Sequence, residues 1–350
     1  MKEELKINIK ATVRDALKTL SITGEKCLIV VDEDQKLLGT LSDGDLRKAI
    51  LKGNDVKSTI KNIYNLKPTF LVKGEYSEPE VKSIFIKNKF DLIPIVDQKG
   101  KVVDSLYWEK VFDDGDKRRS IKLDVPVVIM AGGKGTRMEP FTKILPKPLV
   151  PVNEKPIIEH IIERFVDVGC NEFYLTVNYK GRILKAYFEE LQPDYEIHFL
   201  EEKEPLGTAG SLRFLNEKFN QSFFVTNCDI IIKADYASLF EFHEKDGYDV
   251  TLVASAKEYI IPYGTCELNG EGHLSHINEK PHYDLLINTG LYVLNPDVLE
   301  LIPKNRFYHI THLIENVKNQ GKKVGVFPID DDAWIDVGQW AEYQQAMERL

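Results

Sequence analysis

The 350-residue sequence is poor in the features that tie a chain to a membrane, to nucleic acid or to an oxidising compartment. Its four cysteines, Cys27, Cys170, Cys228 and Cys266, are widely spaced and form no C-x-x-C pair. A chain of this length can build its own cores without disulfide staples, so free thiols in a reducing cytoplasm are expected. No apolar stretch approaches the roughly 20 residues of a membrane span. The first ten residues, "MKEELKINIK", carry charges where an export signal needs an apolar segment, so no export is expected. An excess of positive charge is missing too. A net charge of −9 argues against a general nucleic-acid binder and makes any basic patch local. With 43% hydrophobic and 29% charged residues, the composition is that of a globular protein long enough for two domains.

The first 115 residues repeat themselves. A gapless shift of 65 positions lays the stretch from Thr12 over the stretch from Ser77, with Ala16 on Val81, Leu20 on Phe85, Val30 on Ile95 and Asp32 on Asp97. Each copy reads as a capped helix, a buried strand, a turn ("DEDQK" or "DQKGK") and a second strand. Two copies make a paired module and not a solenoid. The charged stretch "DDGDKRRSIKLD" reads as a linker. We therefore expect modules at 1–57 and 58–115, a linker at 116–124 and a second domain at 125–350. Beyond the linker, strand-like and helix-like segments alternate, which argues for a parallel sheet flanked by helices.

One basic glycine loop stands out. "IMAGGKGTRMEPFTKILPKP", residues 129–148, follows the strand-like run "LDVPVVIM" and so hangs from a strand end, where α/β sheets bind phosphates. It is not a Walker loop, because Gly-Lys-Ser/Thr is absent. Nor is it a dinucleotide fingerprint, because Met138 occupies the third glycine position. What is left is Gly132, Gly133 and Gly135 offering backbone N–H groups to an anion, with Arg137 as a planar fork and Lys147 as a point charge between two prolines.

The N-terminal duplication resembles a pair of CBS modules, best at "GTLSDGDLRKA" (39–49). That resemblance implies an adenine nucleotide between the copies, with Ser42 and Asp45 contacting phosphate and ribose. A carboxylate that can only accept hydrogen bonds suits a ribose diol. The alternative is that Ser42 simply caps the helix that begins near Asp43. In the second copy Tyr107 and Lys110 replace the pair, so at most one such site is expected. CBS pairs commonly dimerise, and the resemblance thus implies a homodimer.

"MAGGKGTRMEPFTKILPKPLVPV" resembles the signature of the sugar-1-phosphate nucleotidyltransferases, and further motifs of that family follow in order to the C-terminus. The resemblance implies a Rossmann-like, GT-A-like α/β fold with a mixed, mostly parallel sheet, preceded by the α+β CBS pair. It implies nucleotide binding by Ala131, Gly132, Gly133, Gly135 and Thr136, and by Gly207, Thr208 and Gly210 of "EPLGTAGSL". Arg137, Lys147 and Asp229 of "NCDI" would be catalytic. Asp229 and Asp336 of "WIDVG" would hold Mg²⁺, for which carboxylates are suitable hard ligands. Gly264 of "PYG", Glu279 and Lys280 of "NEKP", and Asn288 and Thr289 of "NTG" would bind the sugar phosphate. Transfer at the α-phosphorus needs positioning and charge neutralisation more than proton transfer, which such residues supply.

Three details depart from the family pattern or distract from it. Cys228 stands where many relatives carry glycine, and is expected to pack. "HITH" (309–312) lacks zinc-site spacing and reads as core or surface histidines. "DDD" (330–332) reads as a solvated turn. For substrates, "EKEPLGTAGSL" points to GTP by resemblance to mannose-1-phosphate guanylyltransferases. The CBS pair with "NCDI" and "WIDVGQW" more closely resembles the glucosamine-1-phosphate guanylyltransferases of bacterial legionaminic acid synthesis. Glucosamine 1-phosphate is therefore the expected acceptor. Mannose-1-phosphate guanylyl transfer, glucose-1-phosphate uridylyl or thymidylyl transfer, and an adenine-nucleotide sensor with a degraded transferase half are the alternatives.

Overall fold

In both halves of the N-terminal duplication a short strand lies parallel to the first strand of an antiparallel pair. A computed structural model describes residues 5–88, 90–107, 111 and 122–349. In the first half β1 (Lys6–Asn8) pairs with β2 (Cys27–Val31), which pairs with β3 (Leu37–Ser42). In the second, β4 (Leu71–Val72) pairs with β5 (Leu92–Val96), which pairs with β6 (Val102–Tyr107). Both pairs carry a register shift at equivalent places, Val30/Val31 and Ile95/Val96. The halves also bond reciprocally. Leu37 donates its N–H to Gly100 O at 3.0 Å, and Val102 donates to Gln35 O at 2.9 Å. Those donors and acceptors stand one repeat length apart, so the duplicated sequence gives a pseudo-two-fold module. Lys110 and residues 116–121 of the expected linker lie outside the described residues.

Helix α1 (Val13–Thr23) starts at a capping box between Thr12 and Asp15 and ends at Gly24, whose φ of 68° suits glycine. Helix α2 (Asp43–Leu51) starts at a second such box, made by Ser42 and Asp45. Helix α3 (Glu78–Asn88) is the second copy's counterpart of α1. The described residues divide into two compact units, and the first is not limited to this module. It takes in Ser255–Ile287 and Pro328–Asp332 as well as the N-terminal residues. Ion pairs bind these segments together: Arg14 with Glu258 (3.0 Å) and with Asp284, and Lys57 with Asp284 (3.1 Å). Ala256 packs into the same apolar cluster as the first repeat.

The second unit comprises Ser120–Ala254, Asn288–Phe327 and Ala333–Leu350. Its strands are β7 (Val127–Met130), β8 (Pro151–Val152), β9 (Lys155–Pro156), β10 (Glu172–Val177), β11 (Glu196–Glu201), β12 (Phe223–Asn227), β13 (Ile230–Ile232) and β19 (Trp334–Asp336). Strands β14 (Val250–Ile260), β17 (His282–Leu294) and β18 (Val324–Asp330) have residues in both units, and the hairpin of β15 (Thr265–Leu268) and β16 (Leu274–Asn278) belongs to the first. The seven-stranded sheet runs β11-β10-β7-β12-β17-β14-β18. β11, β10, β7 and β12 are mutually parallel, and β17 is antiparallel to β12. This is the mixed, mostly parallel sheet that was expected.

β7 lies inside the sheet between β10 and β12, and all four of its residues are buried, as a strand covered on both faces requires. Helix α4 (Ile157–Val166) buries Ile157, Ile158, Ile161, Ile162 and Phe165, a stripe at helical spacing. Phe165 meets Phe224 and Tyr236 at 5.3 and 4.6 Å between ring centroids. Helices α5 (Gly181–Leu191), α6 (Tyr236–Asp246), α7 (Ile310–Asn319) and α8 (Trp340–Arg349) complete the unit. Among the described residues no helix is long and apolar enough to cross a membrane.

Candidate active site

The glycine loop leaves the C-terminal end of β7, as its position after an apolar run implied. Ala131 closes the strand by donating its N–H to Thr176 O (3.2 Å) on β10. After it, the N–H groups of Gly132, Gly133 and Gly135 find no acceptor among the described residues. They are the unpaired donors an anion needs. Gly135 has φ 66°, and a Cβ there would meet Thr142 Cγ2 at 2.9 Å and Lys147 Cβ at 3.0 Å. Only glycine serves at that turn.

The loop forms one side of a cleft of about 370 Å³ that also takes in Thr136, Arg137, Lys147, Gly207, Thr208 and Asp229. Lys147 is buried, at 7% exposure, and its Nζ donates to Asp229 Oδ2. Strand pairing explains how the second carboxylate arrives. β13 pairs antiparallel with β19, setting Ile230 opposite Asp336, and Val337 donates its N–H to Asp229 O (2.8 Å). Gly338 measures the convergence: a Cβ there would lie 2.8 Å from an oxygen of Asp229, 2.8 Å from one of Asp336 and 3.2 Å from Lys147 Nζ. Burial and then the neighbouring Asp229 charge raise the Asp336 carboxyl above its usual range, and the 2.7 Å hydrogen bond from Gly338 N–H offsets part of this. Two acids drawn together against their charge, with one lysine to compensate, are a donor set suited to a hard divalent cation.

The remaining expected residues divide by unit. Gly210 opens the short helical turn Gly210–Leu215 and lies against Arg306 O, where a Cβ would come within 2.7 Å. Asn288 Nδ2 donates to Tyr292 Oη (2.8 Å). Thr289 is buried, and its hydroxyl donates to Val253 O (2.9 Å), which ties β17 to β14. Gly290, at φ 93°, packs against the amide of Asn227 in the cleft wall. Gly264, Glu279 and Lys280 lie exposed in the first unit, where a Cβ on Gly264 would come within 3.0 Å of Glu279 Oε2. In the CBS copy, Ser42 Oγ accepts from Asp45 N (3.2 Å) and donates to Asp45 Oδ2 (2.6 Å), so the capping alternative is realised there.

Glu202, Phe307 and His309 are among the cleft residues that the sequence did not assign to the site. Glu202, 8% exposed, follows β11 and accepts from Leu206 N (3.3 Å); burial raises its carboxyl pKa. Its place in "EKEPLG", five residues before Gly207, was the only signal. Phe307 and His309 also line the cleft, so His309 is a pocket residue and neither a core nor a free surface histidine. Cys228 packs as expected: it is buried and its thiol pKa is pushed up to about 12, chiefly by burial. The "DDD" turn is more engaged than expected, since Asp331 accepts from Ser255 Oγ (3.1 Å) and pairs with Lys257 (3.5 Å).

A glycine loop at a parallel strand end, facing a lysine between two carboxylates, defines a nucleotide-handling α/β protein of the phosphate-transferring kind. Residues 126–350 match the nucleotidyl transferase family, and the chain belongs to that family; residues 1–52 match the CBS domain. The chain is 35% identical to the mannose-1-phosphate guanyltransferase of Pichia angusta, over 63% of this chain and 62% of that one. It is 38% identical to the mannose-1-phosphate guanylyltransferase catalytic subunit beta of Drosophila pseudoobscura pseudoobscura, over 63% and 61%. It thus spans about three fifths of the length of the curated relatives it matches. The crystal structure of HddC from Yersinia pseudotuberculosis is similar at 26% identity and TM-score 0.51, covering 64% of this chain and 99% of that one.

Proposed function

We propose that the protein transfers a guanylyl group from GTP to a hexose 1-phosphate, with mannose 1-phosphate as first acceptor, releasing pyrophosphate in the cytoplasm. The observation that carries this reading is the meeting of Lys147, Asp229 and Asp336 around Gly338 beside the unpaired N–H groups of the glycine loop. Asp229 and Asp336 would hold Mg²⁺, which supplies positive charge to the phosphates when bound. Gly132, Gly133 and Gly135 bind the triphosphate through their N–H groups, and Arg137 takes its oxygens in a planar fork. Lys147 neutralises charge at the phosphorus under attack. A sugar phosphate is already largely dianionic near pH 7, its second pKa being about 6, so its oxygen attacks without a general base.

Glu202 supports guanine. A carboxylate only accepts hydrogen bonds, and the guanine edge offers two adjacent donors, N1–H and the exocyclic N2–H. Uracil and thymine flank their one N–H with carbonyls that repel a carboxylate, and adenine places a lone pair at N1. The relatives support mannose 1-phosphate over glucosamine 1-phosphate, the acceptor that the sequence resemblance placed first. The cytoplasmic setting is supported by four free thiols. For the CBS copy we propose an adenine nucleotide as ligand, because the Ser42–Asp45 box employs Oδ2 of Asp45 and leaves Oδ1 for a ribose.

Pyrophosphate release across GTP, ATP, UTP and dTTP, each with mannose, glucose and glucosamine 1-phosphates, tests the transfer. The expected result is highest turnover with GTP and mannose 1-phosphate. Preference for UTP overturns the guanylyl assignment, preference for glucosamine 1-phosphate restores the legionaminic-type reading, and no turnover with any pair leaves the sensor.

A further inference from the structure

Phe307 and His309 form an aromatic wall of the cleft that none of the roles above employs. The segment that carries them is fastened to the "EPLGTAG" loop by backbone bonds. Tyr308 donates its N–H to Leu206 O (2.9 Å), and Tyr308 O accepts from Ala209 N (3.0 Å) and Gly210 N (3.2 Å). So close an approach requires glycine, since a Cβ on Gly207 would lie 2.7 Å from Tyr308 O. Ile310 N, at the start of α7, donates to Thr208 Oγ1 at 3.0 Å and locks the far end. Leu206 in turn donates to Glu202 (3.3 Å), so the wall and the buried carboxylate belong to one bonded unit.

In extended backbone alternate side chains share a side. Tyr308 packs against the apolar core, and Phe307 and His309 line the cleft. The Phe307 ring is 60% exposed, an unusual position for phenylalanine in a pocket otherwise rich in glycine and charge. Its orientation is held all the same: the His309 ring meets it edge-on, at 4.7 Å between centroids and 81° between planes. A solvent-facing aromatic ring in the same cleft as a buried carboxylate offers a flat surface for stacking and an acceptor for edge recognition.

We infer that Phe307 is the stacking surface for the nucleobase, and that His309 positions the Phe307 ring. The inference rests on the reading of this cleft as the nucleotide site. Stacking accepts any base, because every base has a π face, so Phe307 supplies affinity and Glu202 supplies choice.

Calorimetric titration of the full-length protein and its variants tests this, with GTP and UTP as nucleotides and tripolyphosphate as a probe that has the charge and no base. Phe307→Ala is expected to weaken the preferred nucleotide by about tenfold. Its tripolyphosphate affinity should stay within about twofold. Phe307→Tyr should restore binding, and His309→Ala should show a smaller loss confined to the nucleotide. Unchanged nucleotide affinity in Phe307→Ala overturns the inference. So does an equal loss for nucleotide and tripolyphosphate, which marks general damage to the cleft. If the wild type prefers UTP, the guanine reading fails, and a base-dependent loss in Phe307→Ala then still upholds stacking.

Discussion

In the first unit Ser42 Oγ and Asp45 Oδ2 bond to each other, and Arg14, Lys57, Glu258, His282 and Asp284 form a connected set of polar contacts. In the second unit the same residue types are left with capacity to spare. Lys147 uses one of its three N–H donors on Asp229, Asp336 accepts one backbone bond, and three glycine N–H groups have no acceptor among the described residues. The contrast teaches that residue type alone does not mark a site. Uncompensated hydrogen-bonding capacity, held in place by strand pairing, does. Changing one member of one unit should therefore leave its effect in its own category, chemistry or stability.

Asp229→Asn should have the largest effect. It removes a charge from the pair that faces Lys147 and should lower turnover by on the order of 10³, with nucleotide affinity changed far less. Pre-steady-state turnover beside calorimetric binding separates the two. A loss of about tenfold or less would move Asp229 into the structural category.

Next comes His243, a buried group of the second unit that takes no part in the cleft. Burial pushes its pKa down to about 4; Nδ1 lies 2.9 Å from Thr251 Oγ1, and Nε2 is buried without a partner. The unfolded imidazole, with a pKa near 6.5, takes up its proton first as pH falls. Stability is therefore full above about pH 6.5 and is lost progressively down to about pH 4, by at most about 3 kcal/mol. Urea unfolding across that window should show the slope, and His243→Gln should flatten it. An unchanged slope in the variant excludes His243 as the cause.

The sequence made the second unit's chemistry legible and concealed much of its shape. Lys147 drew notice between its two prolines after the glycine loop, whereas Asp229 and Asp336 came only from the resemblance of "NCDI" and "WIDVG" to family motifs; the structure brings the three side chains together. The duplication was readable because apolar positions recur at a fixed shift, and the structure repeats even the register irregularity at Val30/Val31 and Ile95/Val96. Glu202 gave little signal, since a glutamate after a strand resembles any exposed acid until its burial is known. Phe307 gave none, and His309 was read within "HITH" as a core or surface histidine, because their position depends on backbone bonds from Tyr308 to residues about a hundred positions away. The grouping of Ser255–Ile287 with the N-terminal repeats was hidden for the same reason. Arg14 and Asp284 are 270 positions apart, beyond the reach of any periodicity.

That long-range pairing gives the third test. Arg14→Ala leaves the carboxylate of Asp284, 10% exposed, with Lys57 alone, and removes a partner of Glu258. Partial burial of the pair places the expected loss at about 2 kcal/mol in urea unfolding, between exposed and fully buried ion pairs. GTP affinity should not move, since every member of the set belongs to the first unit. A parallel fall in GTP affinity would show that the two categories are coupled.

The smallest effect is expected from Ser42→Ala, and it bears on the one place where both categories are claimed for the same atoms. Removing Oγ strips Asp45 N of its cap and Asp45 Oδ2 of a donor, which should cost about 1 kcal/mol of stability. If an adenine nucleotide also uses this corner, AMP binding should weaken by about fivefold or more, because the freed Asp45 carboxylate no longer holds its ribose-facing orientation. Asp45→Asn, which keeps the size of the side chain, should weaken AMP further while preserving part of the cap. Calorimetric titration of AMP into the full chain and both variants decides between the roles. A stability loss with AMP affinity unchanged would return Ser42 and Asp45 to capping alone, and the first unit would then differ from the second in having no polar atom left over for a ligand.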